Sequence, residues 1–442
     1  MKKIIYRTFL SLVILLLILV FYLSTVGVKT DKFNSRIISQ INQIEPKIEL
    51  KLKDVSATFD PLNFEIKAKT LGTDLIYRNK IIKIETVKSN ISLKSFFKNE
   101  FALTGISIST KSLAINDLIS FIRLLNNDPK FFIAEQLIEN GYVVADLKFE
   151  FDESGNIRNN YEFKGLIKDG QISFFKKYNL NKIDFFFEID EQNFRFNDIK
   201  FSLNKKDITI PNLIASKLND EYLISGKLIT QNIGLTKNDI NNLIDDGFFG
   251  LDVDEVLFNS NNDFNFKLSK NFKIKNLDIK SDINLENLKI NNTLKIKDIF
   301  PKIKKEIIIK KHKIKLEYQK NNLSINGNGE VFLQNEIDTI NYEIKKNKNK
   351  VKFNTTLNIS KNSFNLDLLN YKKKEDSKLK LKFKGVKEIK KKLILDEISL
   401  KEKKNIISVK NLILSNNNKI DEVTNIDINF IDKDDLKNNL QI

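Results

Sequence analysis

Residues 264–285 read FNFKLSKNFKIKNLDIKSDINL. Phe264, Phe266 and Leu268 alternate with Asn265, Lys267 and Ser269, and Phe272 and Ile274 alternate with Lys273 and Lys275. A β-strand turns successive side chains to opposite faces, so such a run has one apolar and one polar face. The same period recurs in FEIKAK (64–69), KIIKIETV (80–87), ISIST (106–110), LKFEF (147–151), FRFNDIKFSL (194–203), IKLEY (314–318) and LKLKFKG (379–385). Ile48, Leu50 and Leu52 also alternate with charged residues. Asparagine clusters separate the runs: Asn159-Asn160, Asn261-Asn262, Asn291-Asn292, Asn321-Asn322 and Asn416-Asn417-Asn418. Asparagine tolerates the left-handed backbone region, so it reads as the turn residue of a chain with only 14 Gly. No strict repeat is present. What recurs is an amphipathic strand roughly every dozen residues.

Helical signals are few. Phe33, Ile37, Ile41 and Ile44 follow Asp31 at steps of three and four, and Glu45-Pro46 closes the run. That spacing predicts a short amphipathic helix, capping the sheet or lying on a membrane surface. Asp117 to Leu125 carries Leu118, Ile119, Ile122 and Leu125 on one face, with Asn116 as the expected N-cap. Thr236-Lys237-Asn238-Asp239 resembles a capping box ahead of Ile240, Leu243 and Ile244. Helices do not alternate with strands, which argues against a parallel α/β sheet. The expected class is all-β and antiparallel, with few short helices.

The start of the chain is of another kind. Residues 8–28 contain no charged residue before Lys29, and Lys2, Lys3 and Arg7 precede them. About twenty such residues span a bilayer core of roughly 30 Å. The positive-inside rule puts the N-terminus in the cytoplasm and the rest outside it. A cleaved signal peptide is the competing reading, but Thr25-Val26-Gly27 is a poor cleavage site. The expectation is a single-pass protein divided into a tip and anchor (1–28), a juxtamembrane helix with a first β unit (29–145), and an extended amphipathic sheet (146–442).

Composition limits the chemistry. Cysteine is absent, which excludes disulfides, thiol nucleophiles and thiolate-held metals. The one histidine, His312, lies among lysines in KKHKIKLEY and reads as a solvated surface residue. Asp252-Val253-Asp254-Glu255 and Asp432-Lys433-Asp434-Asp435 lack the glycine and spacing of a calcium loop. Asp245-Asp246-Gly247 reads as a helix end and turn. No cofactor, metal or catalysis is expected. Net charge is +17, from 74 basic and 57 acidic residues. Residues 251–442 hold most of it, with 40 basic and 27 acidic residues against 34 and 30 in residues 1–250. Lysine on the wet face of a strand needs no function, though it also attracts anionic lipid headgroups. The lysines follow no recognition motif, so nucleic acid is not an expected partner.

Some four hundred residues of one-face-apolar strand pose a burial problem. That face must be covered by another sheet, by closure, or by something that is not protein. A long sheet curled across its width gives a gutter that solvates acyl chains, at about 0.8 kcal/mol per buried methylene. Two or three compact sandwiches with dry cores are the alternative, and periodicity does not separate the two. In the gutter reading the lining residues are Phe149, Phe151, Phe264, Phe266, Leu268, Phe272, Ile274, Leu379, Leu381 and Phe383. Phe131-Phe132, Phe174-Phe175 and Phe185-Phe186-Phe187 are core or lining by the same logic.

The order of anchor, short helix and amphipathic strands resembles the AsmA-like, TamB-related family of envelope proteins. The likeness covers residues 1–175. VSATFDPLNFEIKAKTLGTDLIYRNKIIKIETVKSNISLKSFF (55–97) is similar to that family's first β unit, with a turn at Asp60-Pro61-Leu62, a strand pair around Gly72, then ISLKSFF. FALTGISISTKSLAINDLISFIRLL (101–125) is similar to its next strand pair and helix, and residues 140–175 are a weaker echo. The resemblance implies an inner-membrane anchor and an elongated, curled periplasmic β-groove. It also implies phospholipid as cargo, a role in outer-membrane lipid transport and envelope integrity, and envelope assembly proteins as partners. It carries no catalytic residue. An anchored β-rich envelope scaffold without a lipid conduit is the alternative function.

Overall fold

The computed structural model describes residues 2–31, 34–35, 38–39, 42, 48–53, 55–77, 80–98, 100, 102–125, 132, 135–156, 158, 160–174, 178–219, 221–243, 251–271, 273–293, 296–388, 392–415, 419–434 and 436–441. The chain forms two compact units, residues 1–205 with 212–217, and residues 206–211 with 218–442. The short helix expected over residues 33–44 and the asparagine cluster at 416–418 fall mostly or wholly outside the described residues, as do Phe131, Phe175, Ile244 and Asp245-Asp246-Gly247.

The first unit opens with helix α1 (Lys2–Thr25), which buries none of its residues and is long and apolar enough to cross a membrane. The strands follow as β1 (Val28–Thr30), β2 (Ile48–Lys51), β3 (Val55–Asp60), β4 (Glu65–Tyr77) and β5 (Lys80–Ser92). Helix α2 (Leu93–Phe97), β6 (Leu103–Thr110), β7 (Leu113–Ala114) and helix α3 (Ile115–Leu125) come next. The unit's sheet continues with β8 (Ile138–Glu150), β9 (Glu162–Phe174), β10 (Tyr178–Ile189) and β11 (Asn193–Leu203). They pair antiparallel in the order β1-β3-β4-β5-β6-β8-β9-β10-β11, with β2 also on β4 and β7 on β8. Val55, Ile84, Val87, Leu103, Val143, Ala145 and Phe151 build the core, and Ile115, Leu118 and Ile119 of α3 close over it. Strand β12 (Lys206–Leu218) is divided between the units.

The second unit is a meander of longer strands. It runs β13 (Glu221–Thr236), helix α4 (Lys237–Leu243), β14 (Val253–Ser269), β15 (Ile274–Asn291), β16 (Glu306–Gln319), β17 (Asn322–Phe332), β18 (Asp338–Lys346) and β19 (Lys350–Ile359). A small hairpin, β20 (Asn365–Leu366) and β21 (Tyr371–Lys372), precedes β22 (Leu379–Glu388), β23 (Leu393–Glu402), β24 (Asn405–Leu414), β25 (Ile420–Glu422), β26 (Asn425–Ile431) and β27 (Lys437–Gln441). Consecutive strands pair antiparallel from β13 to β19 and from β22 to β24; β19 pairs across the hairpin with β22, β24 pairs with both β25 and β26, and β26 pairs with β27.

Local chemistry sets the start of α4. Thr236 and Asp239 form the expected capping box: Asp239 N–H donates to Thr236 Oγ1 at 3.3 Å, and Thr236 N–H donates to Asp239 Oδ2 at 3.0 Å. Three expectations need correction. Helix α3 begins at Ile115, so Asn116 is inside it, and its Nδ2 donates to the Ile138 carbonyl at 3.0 Å. Gly72 does not separate two strands but lies within β4 at φ +63, between the pairs Leu71–Thr86 and Thr73–Ile84. Asn261 and Asn262 lie in mid-strand, paired with Ile229 and Leu228, because strands of 16 to 18 residues run through the cluster.

Candidate functional site

Residues directly opposite in an antiparallel ladder share a face of the sheet. In the second unit this rule assembles an apolar surface. One row joins Leu316, Ile325, Ile344, Phe353, Gly385, Leu395 and Leu412 from β16 to β24. The next joins Ile283, Ile314, Gly327, Tyr342, Thr355, Phe383, Ile398, Val409 and Ile426. A third joins Gly329, Ile340, Leu357, Leu381, Leu400, Ile407 and Ile428. At about 4.8 Å between strands, the nine-residue row is about 38 Å long. The opposite face is polar, as in the row Lys315, Asn326, Glu343, Asn354, Lys384.

The two ends of this face differ. Near the third row the chain folds back on it. Phe300, Phe364 and Tyr371 pack with Ile359, Leu379, Leu381, Leu400, Ile407 and Phe430. Ring centroids lie 5.5 Å apart in both the Phe300–Phe364 and Tyr371–Phe430 pairs. On β13 to β15, Ile240 of α4 packs with Val253, Leu285, Leu288 and Ile290. The row from Leu316 to Leu412 belongs to no such cluster; its side chains are half-buried, apart from Gly385, which is buried. Phe264 and Phe266 stack on each other at 6.1 Å, also half-buried. A hydroxyl and amide stripe separates them from the α4 core. Thr230 Oγ1 lies 2.8 Å from Ser260 Oγ, and Asn262 Nδ2 donates to Ser260 Oγ at 2.8 Å and to the Leu228 carbonyl at 3.1 Å.

The residues expected to line a groove therefore divide. Phe264, Phe266, Leu268, Ile274 and Phe383 lie in the second unit, half-buried or exposed, Ile274 at 58%. Leu379 and Leu381 are in the same unit but sit under Phe300, Phe364 and Tyr371. Phe151 is in the core of the first unit, and Phe149 packs against that core. Phe272 lies outside the described residues.

His312 is not a surface residue. It is 2% exposed, because β16 places it in phase with Ile314, Leu316 and Tyr318 on the apolar face. Lys311 at φ 51 makes a bulge there, two residues opposing Gly329, and the imidazole occupies the space beside that glycine. Any Cβ at Gly329 would fall 1.9 Å from His312 Cδ2. Nε2 lies 3.1 Å from the Glu330 carbonyl, which only accepts, so Nε2 carries the proton. Nδ1 then accepts from the Tyr342 hydroxyl at 3.3 Å. Burial lowers the imidazole below its ordinary value, opposed by the bond to Glu330, and burial pushes the Tyr342 phenol up to about 12. Both groups are neutral at physiological pH.

A second buried polar cluster lies at the covered end, with no local signature in the sequence. Glu402 accepts from Tyr371 Oη at 2.6 Å, from Lys374 N–H at 2.9 Å, from Asn405 Nδ2 at 3.3 Å and from Ser377 Oγ. Burial raises this carboxyl, but the four donors together outweigh it and hold it below the ordinary value. Asp338 accepts from Ser360 N–H at 3.1 Å and Asn362 Nδ2 at 2.8 Å, and burial raises its pKa. Lys373 donates to the Lys374 carbonyl at 3.1 Å, and burial lowers its pKa. These groups pin the loop that covers Leu379 and Leu381.

Two concave spaces are lined by charged side chains. One of about 410 Å³ borders Leu323 and is lined by Lys320, Lys345, Lys346, Lys350 and Lys352. Another of about 510 Å³ in the first unit has mixed charges, including Glu65, Lys88, Lys148, Glu150 and Arg158. Among the described residues, no three metal-ligating side chains come together.

No family model matches the chain, and neither a curated protein nor a solved structure matches it. The likeness to AsmA-like proteins thus stands on the residue pattern and on the antiparallel, β-rich architecture behind one apolar helix.

Proposed function

We propose that the chain is a membrane-anchored β-scaffold whose second unit offers the apolar rows on β16 to β24 to a protein partner. The observation that carries this is the covering. The first unit and the closed ends of the second have dry cores built from their own side chains, which is how a scaffold is stabilised. What remains open is a limited patch centred on Ile325, Ile344 and Phe353, with Phe383 in the adjoining row. Exposed contiguous apolar patches mark interaction surfaces. The proposal contains no catalytic step, cofactor or metal.

A second reading is favoured by the same open rows. The row from Leu316 to Leu412, seven strands and about 29 Å across, lacks a covering cluster and suits acyl chains as well as a protein. In that reading Phe264, Phe266, Leu268, Ile274 and Phe383 border a phospholipid path along a curled sheet. The AsmA-like resemblance then adds an inner-membrane anchor, a periplasmic body and transport toward the outer membrane. Lipid mass spectrometry separates the two. The full chain and its Ile344→Asp/Phe353→Asp variant are purified in the same detergent. Equal phospholipid in both supports the scaffold. Several phospholipids per chain that the double variant lacks support the lipid path.

A further inference from the structure

The first unit carries an exposed apolar cluster at the edge where the anchor joins it. We propose that the β3–β4 turn, with the adjacent helix α2, is a second membrane contact that seats Leu62, Phe64 and Phe97 in the interface of the bilayer crossed by α1. This rests on the membrane-anchor reading of α1.

The placement follows from the ladder. Strand β1 leaves the helix at Val28, opposite Ala57, and runs antiparallel to β3. Strand β3 therefore runs from Ala57 toward the side from which α1 arrives, and its turn at residues 61–64 lies beyond Asp60 on that side. Helix α1 packs against β3, and the Gly27 backbone lies against Ala57 and Thr58. From Ala57 to Asp60 is about 10 Å of strand, so the turn lies on the membrane side of the anchor's junction with the sheet. Helix α2 starts at the same level, because Ser92 pairs with Glu65 and Leu93 N–H donates to the Phe64 carbonyl at 3.1 Å.

The side chains at this edge suit a bilayer and not water. Leu62 is 94% exposed, Phe97 74% and Phe64 50%. The turn that carries Leu62 and Phe64 is hydrogen-bonded through Asp60. The Asp60 carboxylate accepts from Leu62 N–H at 3.1 Å and Asn63 N–H at 3.3 Å, and pairs with Lys67 Nζ at 2.7 Å. Phe64 adopts φ 54, a costly conformation for an aromatic residue. Its ring meets Phe59 edge-on at 6.1 Å. A flexible tip would fold its leucine onto the protein; this one is built to hold it outward. Lys94 and Lys98 lie three residues before and one after Phe97, Lys98 4.0 Å from Glu100, and basic side chains beside apolar anchors extend toward lipid phosphates.

The chain has no Trp, so single Trp variants report depth directly. Leu62→Trp, Leu15→Trp within α1, and Leu368→Trp on an exposed turn of the second unit are placed in the full chain. Each is reconstituted into phosphatidylcholine vesicles with and without bromine on the acyl chains, which quenches a nearby indole. Leu62→Trp is expected to emit to the blue of Leu368→Trp and to lose about half its intensity in brominated vesicles, as an interfacial indole does. Quenching of Leu15→Trp with Leu62→Trp behaving like Leu368→Trp overturns the proposal and leaves the anchor standing. No quenching of Leu15→Trp removes the anchor, and the proposal with it.

Discussion

Leu381 and Phe383 test the division between covered and open sheet face within one strand. They are two residues apart on β22 and point to the same face. Leu381 is 6% exposed and Phe383 37%. Replacing each by Asp introduces the same charge about 7 Å apart. At Leu381 the variant loses nearly the whole transfer gain of a leucine, about 2 kcal/mol, and buries a carboxyl with no partner among Ile359, Leu400 and Ile407, costing about 2 more. At Phe383 the new carboxylate keeps much of its water, and the loss is about 1 kcal/mol. In a unit of this size that corresponds to a drop in Tm of about 8–16 °C for Leu381→Asp against about 2–4 °C for Phe383→Asp. Thermal unfolding of the full chain in detergent, followed by circular dichroism, reads both. Equal losses would refute the reasoning, because they would mean either that Phe383 is covered as Leu381 is or that Leu381 is not covered.

Other expectations follow from the buried polar groups and the turn. Unfolded His312 takes up a proton near its ordinary 6.5, whereas in the fold burial holds it below that. Stability is therefore unaffected above pH 6.5 and falls as pH drops below it; His312→Gln should flatten the pH dependence of Tm between about pH 7 and 5. Tyr371→Phe removes one donor to Glu402 and should cost about 1–3 kcal/mol in urea unfolding, while Tyr318→Phe, on an exposed bond to Asn321, should cost less than about 0.5. Asp60 is held at about 2, first by its bond to Lys67 and then by Asn63. Its contribution is present above its ordinary 3.8 and lost as pH falls through 2, so Asp60→Asn should fall below the wild-type Tm at pH 7 and the gap should close as pH is lowered through 2.

The architecture was legible because period-2 alternation dominates the sequence. The charge-free N-terminal run and the Thr236–Asp239 capping box were equally readable, since each is a local signal with a local cause. What covers a face is not local. LKLKFKG places Leu379, Leu381 and Phe383 on one face, but nothing in it says that Phe300, Phe364 and Tyr371 return over the first two and not the third. The Glu402 cluster was illegible for the same reason, being assembled from residues 371, 374, 377 and 405. His312 was a different failure. Its phase with Ile314 and Leu316 is present in KKHKIKLEY, where the adjacent Lys311 and Lys313 are exposed and, of the three, only His312 is turned inward.

Phase also explains why the strands are longer than a dozen residues. In β13 the apolar face passes from Thr230 to Ile233, a step of three, and the register shifts there with Asn232 at φ 51. In β16 it passes from Ile309 to His312, again a step of three, with Lys311 at φ 51. In β15 the step runs from Leu285 to Leu288, opposite a shift in its pairing with β14. A bulge absorbs one extra residue and returns the strand to phase, bending it locally. A step of three inside an alternating run is therefore a bulge and not a strand end. In β13 and β16 the positive φ falls on Asn232 and Lys311 instead of Gly, and at Asn232 the backbone N–H is held by Asn259 Oδ1 at 2.7 Å. Asparagine within this sheet thus serves two roles, as a turn at Asn321 and as a bulge at Asn232, and only the phase of the flanking apolar residues distinguishes them.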